Sequence, residues 1–326
     1  MGSFGQGFLG SVQMRKTVLV SILIALLLLV SCRMDVNLNG GNDTVYADSK
    51  NWMSRLPDDI LFRDITIPAT HDSCANRDLL GLPSISSNQD LSLGQQLEAG
   101  VRCIDIRITE KGDGYGIYHG PVFMKMMLSD VVDICRNFLQ ENPSEFILMF
   151  INYENGHHRL TTPVIADLRD SDADLFFQGG SLSGVKLEDI RGKIIPAEAY
   201  IRIYGEPELV STGDFWVPDF EYEIDEESFW KTDDPQRVLD FALDVMEMVR
   251  TGDRHYPDDP AVYTTASYLE GQFGIPNYRI VSSYVNPRIQ DYLKPYEGTG
   301  SYFGIIKADH MTHDLAHAIY SCNILN

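Results

Sequence analysis

From Asp64 onward, short β-rich apolar runs alternate with longer segments in which apolar residues recur at helical spacing. The strands this predicts are Ile65 to Pro68, Val101 to Ile108, Gly116 to Tyr118, Phe146 to Asn152, Lys193 to Ala197, Arg279 to Tyr284 and Tyr302 to Lys307. Ser92, Leu93, Gln96 and Leu97, closed by Gly100, predict a capped helix running into the Val101 strand. Ser129 is placed to cap a second helix, with Val131, Ile134, Cys135, Phe138 and Leu139 on one face and Pro143 ending it. Asp234 and Pro235 read as cap and first turn of a third, striped by Val238, Leu239, Leu243, Val245, Met246 and Val249. A fourth is predicted from Thr312 to Leu325. Alternation of this kind implies βαβ units and a mainly parallel sheet. No glycine-rich phosphate loop follows any strand, so the α/β pattern favours a single (β/α)8-type TIM barrel over an open nucleotide-binding sheet.

The N-terminal pattern is of another kind. Arg15 and Lys16 precede an apolar run from Val18 to Val30, which ends at Ser31-Cys32. The run is short for a membrane span and is flanked like a secretory signal, while the small residue before cysteine resembles a bacterial lipobox. We therefore expect a lipoprotein signal peptide over residues 1–31, a lipid on Cys32, a flexible polar tether over 32–50 and a single barrel domain over 51–326. Such a protein is exported and membrane-anchored, in the periplasm or at the cell surface.

Charge narrows the partners. The formal net charge is −21, and no basic block follows the signal, which argues against nucleic acid. It also argues against non-specific adsorption to anionic bilayers, so a lipid substrate must be drawn by a local site or by exposed apolar side chains. Nothing implies a protein partner, and a monomer is expected. Of the five cysteines, Cys74, Cys103, Cys135 and Cys322 remain beside Cys32. Their settings predict buried thiols, with a Cys74–Cys103 bridge as the alternative.

Polar groups gather at the ends of the predicted strands: His71 and Asp72 after the first, Asp105 and Arg107 in the second, His119 after the third, Asn152 and Glu154 at the fourth. Asp219 follows an extended Trp216-Val217-Pro218, and Asp309 closes the last strand. In a barrel, active sites are built at the carboxyl ends of strands. Asp105 and Arg107, two apart, point to the same side. Two histidines can divide base and acid roles, and a guanidinium can stabilise phosphate oxygens, so these are parts for acid/base chemistry on a phosphodiester. Asp309, His310, His313 and His317 offer a competing zinc site, although no H-E-x-x-H pattern accompanies them.

The segments Asn51 to Asp58, Ile67-Pro68-Ala69-Thr70-His71-Asp72-Ser73, Gln96 to Arg102 with Asp105-Ile106-Arg107, Tyr118-His119-Gly120, Pro143 to Ile147 and Gly304 to Asp309 resemble bacterial phosphatidylinositol-specific phospholipase C. The resemblance is strong to about Glu154 and thinner beyond. It implies an incomplete barrel and two-step cleavage that first gives diacylglycerol and a cyclic inositol phosphate. It also implies His71 as general base oriented by Asp309, His119 as acid paired with Asp72, and Arg107 in the place of a metal, ordered by Asp105. No metal or other cofactor is then needed. Asp219, Asn152, Glu154 and Tyr222 would face the headgroup. The sequence departs from the family where a lysine is replaced by Asn152 and an arginine by Glu198 or Ala199. Those changes leave open a different or glycosylated polyol lipid. Two further alternatives are a non-catalytic lipid- or sugar-phosphate-binding lipoprotein and a metal-dependent glycerophosphodiester hydrolase. Phe123, Met124, Met126 and Met127 are expected either to touch a bilayer or to begin the following helix.

Overall fold

The computed structural model describes residues 46–77, 86–154, 161–198, 210–211, 215, 231–252, 259–270 and 276–324. The chain divides into two units, Met1–Asp43 and Thr44–Asn326; the first, with the predicted signal and Cys32, lies outside the described residues. The second begins earlier than the pattern led us to expect. Tyr46 stacks on His317 at 3.7 Å and Ser49 is buried, so residues 46–50 are part of the packed body.

Seven parallel strands form the central sheet in the order β7 (Val210–Ser211), β6 (Ile194–Glu198, preceded by the short helix α4, Leu187–Ile190), β5 (Ile147–Tyr153), β2 (Cys103–Lys111), β1 (Ile67–Thr70), β12 (Ile305–Ala308) and β9 (Val262–Thr264). Strands β8 (Lys231–Thr232), β10 (Tyr268–Glu270) and β11 (Pro276–Asn277) form a separate small sheet. Among the described residues β7 and β9 do not pair with each other, so the barrel stays open, as expected. Strand alternation divides its two packing layers. Ile104, Ile106 and Ile108 of β2, with Ile147, Met149 and Ile151 of β5, face outward to the helices. Ile67, Ala69, Cys103, Leu148, Phe150, Ile195, Ala197 and Ile305 fill the interior. The inward parity of β1, β2 and β12 continues through His71, Asp105, Arg107, Lys307 and Asp309, so the strands that fill the core at one end carry charge at the other.

Helix α1 (Leu93–Ala99) has the predicted Ser92 cap, reciprocated by Gln95, and ends at Gly100 with φ +111°. The carbonyl of Gly100 accepts from Trp52 Nε1 at 3.0 Å, and Trp52 stacks on Tyr320 to close the bottom of the barrel. There Arg102, fully buried, meets Glu145 at 2.8 Å and also donates to the carbonyls of Leu97, Val101 and Lys50. Helices α2 (Leu128–Glu141) and α5 (Pro235–Thr251) follow the pattern, except that Asp130 rather than Ser129 caps the backbone of Met127.

Three expectations fail. Residues Arg279 to Tyr284 are not a strand but lie in α6 (Tyr278–Leu293); the local β-branched run masks a longer stripe of Val281, Val285, Ile289 and Leu293, all buried at helical spacing. The strand in this part of the sheet is the shorter β9. The third predicted strand is not a barrel strand: β3 (Gly114–His119) pairs antiparallel with β2 and with β4 (Val122–Met127). The Met-rich stretch is therefore an extended ribbon rather than a helix start, with Met124 buried in the core and Phe123 packed on Tyr118. The last helix, α7 (His313–Tyr320), is capped by Thr312 and is shorter than predicted. Cys74, Cys103, Cys135 and Cys322 are buried free thiols, so the Cys74–Cys103 bridge is not formed. Burial pushes the Cys135 thiol up to about 12.

Candidate active site

The chain leaves β1 through His71 and turns at Asp72, whose φ of +44° is one that aspartate tolerates better than most residues. Its N–H faces Asp105 Oδ2 at 3.3 Å, and Ser73 Oγ accepts from the Asp105 N–H at 2.8 Å, so the ends of β1 and β2 are laced together. His71 Nδ1 lies 2.9 Å from Asp309 Oδ1. Its Nε2 lies 2.7 Å from Arg107 Nη2. A guanidinium only donates, so Nε2 is the accepting nitrogen, and Nδ1–H donates to Asp309. This is the tautomer a general base requires, with its lone pair turned toward the arginine.

Arg107 is the hub. Its Nε sits 2.8 Å from Asp72 Oδ1, its Nη2 3.6 Å from Asp105 Oδ2 and its Nη1 3.7 Å from Glu154 Oε2. The second histidine closes the ring: His119 Nε2 lies 3.5 Å from Asp72 Oδ2, and His71 Nε2 lies 3.9 Å from the same oxygen. Two imidazoles thus flank one carboxylate beside one guanidinium. Asp72 and Asp309 are almost fully buried, whereas 21% of the Arg107 side chain and 12% of the His119 side chain reach solvent, which places the opening on their side.

Electrostatics follow from the crowding. Burial alone would raise the Asp105 carboxyl, but Lys307, Arg107 and His71 outweigh it and hold the group below the usual carboxylate range. Glu154 goes the other way. Burial is the largest cause, opposed by Arg107 and by the Gly120 N–H and reinforced by Asp72 and Asp105, and it pushes the carboxyl up to about 7. Glu154 also accepts from the Gly120 backbone, the residue after His119, and so anchors the turn that carries this imidazole.

His71, Asp72, Asp105, Arg107, His119, Glu154 and Asp309 are brought together. Asn152 stands opposite Arg107 in the β2–β5 register. Glu198 is turned away, accepting from Thr162 at the start of α3 (Thr161–Ser171), so it does not take the place of the missing arginine. Asp219, Tyr222 and Ala199 lie outside the described residues. The zinc alternative loses its geometry: His310 faces Asp90 and His317 stacks on Tyr46, and no group of three or more potential ligands converges among the described residues.

Pattern reasoning missed four residues. Asn88 Nδ2 donates to Asp309 Oδ1 at 3.0 Å, and Gln89 Nε2 donates to the carbonyls of His71 and Ala308. Tyr278 OH is 3.2 Å from His119 Nε2, and Lys307 Nζ is 3.7 Å from Asp105 Oδ2. Only Lys307 had a signal, as a charged residue at an inward position of a strand.

An open parallel α/β barrel with two histidines, an arginine and carboxylates at its strand ends defines a class of site equipped for acid/base chemistry. Residues 66–195 match the family model described as phosphatidylinositol-specific phospholipase C, X domain. A 1-phosphatidylinositol phosphodiesterase of Listeria monocytogenes is 38% identical over 155 residues, which cover 45% of this chain and 48% of that protein. One from Staphylococcus aureus is 26% identical over 162 residues, covering 47% and 52%. The chain thus spans about half the length of the curated relatives it matches. Among solved structures, the phosphatidylinositol-specific phospholipase C of L. monocytogenes superposes with a TM-score of 0.68 at 23% identity, covering 84% of this chain and 98% of that one. A double mutant of the S. aureus enzyme gives 0.70 at 20% identity, covering 87% and 100%. These likenesses establish the fold as a TIM barrel of the incomplete kind.

Proposed function

We propose that the protein is a phosphatidylinositol-specific phospholipase C-type phosphodiesterase acting without a metal. The observation that carries this reading is Arg107 lying between His71 Nε2 and Asp72, with His119 on the far side of the same carboxylate. The inositol 2-hydroxyl displaces Arg107 from His71 Nε2 and gives that nitrogen its proton, and its oxygen attacks phosphorus. The bond from phosphorus to the diacylglycerol oxygen breaks, its electron pair stays on that oxygen, and His119 supplies the proton. Arg107, freed toward the non-bridging oxygens, neutralises charge as it builds; each such contribution is typically worth about 10²–10⁴ in rate. The products are diacylglycerol and a cyclic inositol phosphate. Neutral Asn152 stands opposite Arg107, where the resemblance leads to a lysine, and with the headgroup contacts so changed a glycosylated inositol lipid is the second substrate within the same chemistry.

The signal-like N-terminus and Ser31-Cys32 support export and anchoring through a lipidated Cys32, and a diacylglyceryl thioether on the peptide containing Cys32, found by mass spectrometry, tests it. The activity is tested by a phosphorus NMR time course of the full chain with phosphatidylinositol vesicles in chelator, beside His71→Ala. A cyclic phosphodiester signal that the variant lacks supports the reading. A folded wild-type protein that cleaves neither phosphatidylinositol nor a glycosylated inositol lipid overturns it.

A further inference from the structure

His119 is held by three groups of different character. Its Nδ1 lies 3.3 Å from the carbonyl of Ser86. A carbonyl only accepts, so Nδ1 keeps a proton in either charge state, and Nε2 is the nitrogen that gains and loses one. Nε2 faces Asp72 Oδ2 at 3.5 Å and Tyr278 OH at 3.2 Å. The two neighbours differ in what they can do: the carboxylate only accepts and so pairs with Nε2–H, whereas the phenol can accept from Nε2–H or donate to the bare lone pair.

Tyr278 is built to stay there. It is the first residue of α6, set by Asn277, whose side chain accepts from the Ile280 N–H. Its ring lies 5.5 Å from the His119 ring and 5.5 Å, edge-on, from Tyr268. Burial, then the charges of Asp72 and Asp309, hold its phenol above the ordinary tyrosine range, so it remains a donor throughout neutral pH.

We infer that Tyr278 is a positioning residue for proton delivery by His119, its hydroxyl oxygen accepting from Nε2–H before delivery and its O–H donating to Nε2 once that proton has passed to the departing oxygen. The balance is simple. The phosphorus–oxygen bond breaks, the leaving oxygen keeps the electron pair and takes the proton from Nε2, the imidazole becomes neutral, and Tyr278 retains its own proton while sharing it as a hydrogen bond. This rests on the phospholipase C-type reading above.

The test separates the two through the leaving group. Tyr278→Phe keeps the ring contacts and removes only the hydroxyl, and thermal melting checks that it folds. With phosphatidylinositol, whose alkoxide leaving group needs a proton, kcat falls about tenfold with KM within about twofold. With an inositol phosphodiester carrying a nitrophenol leaving group, which departs without one, kcat stays within about twofold of wild type. His119→Ala shows the same selectivity in larger measure. Equal losses on both substrates, or none on phosphatidylinositol, overturn the inference while the reading stands. A wild-type protein inactive on both removes the reading and the inference with it.

Discussion

Replacing Glu154 by glutamine changes one charge in the most crowded part of the site and alters the pH dependence of stability in a direction the structure dictates. With a carboxyl pushed up to about 7 against an ordinary value of 4.5, the folded protein holds a proton that the unfolded chain has released between these pH values. Stability therefore falls as pH rises through that window, because the folded state is the one that binds more protons. The full shift would correspond to about 3.4 kcal/mol, but part of the group is in contact with solvent, so we take about 1–2 kcal/mol. Glu154→Gln keeps an oxygen that accepts from the Gly120 N–H, so the turn carrying His119 is preserved while the titration disappears. Urea unfolding of wild type and variant from pH 5 to 8.5 gives a difference in stability between the two proteins that moves in favour of the variant by this amount as pH rises. Titrating groups remote from Glu154 are common to both proteins and cancel. A difference that stays flat across the range, or slopes the other way, refutes the assignment of a raised carboxyl at Glu154.

Two further outcomes follow from buried charge. Arg102→Met strands Glu145 without its partner in the fully buried floor of the barrel and costs about 3–5 kcal/mol in denaturant unfolding; a loss below about 1 kcal/mol would show that the pair is dispensable. Lys307→Met removes one of the two cations on Asp105 Oδ2, and kcat falls about tenfold with stability within about 1 kcal/mol. Unchanged kcat and KM would show that Arg107 alone orders that carboxylate.

The residues that carry the family resemblance divide into two groups, which only the fold separates. His71, Asp72, Asp105, Arg107, His119 and Asp309 meet at the carboxyl ends of the strands, whereas Trp52, Arg102 and Glu145 form a buried cluster at the other end. As sequence they are alike, short polar-and-apolar motifs at strand boundaries. The second group stabilises the barrel floor and touches no candidate catalytic atom, so its members are expected to act on stability rather than on the chemical step.

What the sequence determined by itself was whatever depends on near neighbours. The Ser92 and Asp234 caps, the turn at Gly100, the strand runs and the two-residue parity that puts Asp105 and Arg107 on one side are set by backbone sterics and by hydrogen bonds a few residues long. Strand-end position then marked most of the candidate site, because a parallel barrel collects those ends on one face. Errors arose where a local window misstates a longer pattern, as in α6, or where two readings of an apolar stretch are equally good locally, as in the β3–β4 ribbon. Tertiary structure alone decided which groups meet. Asn88 reaches Asp309 across 221 residues, Tyr278 reaches His119 across 159, and Lys307 meets Asp105 through the order in which β12, β1 and β2 join the sheet. Such contacts depend on strand order and helix docking, which bury area contributed by the whole chain, and no local spacing encodes them.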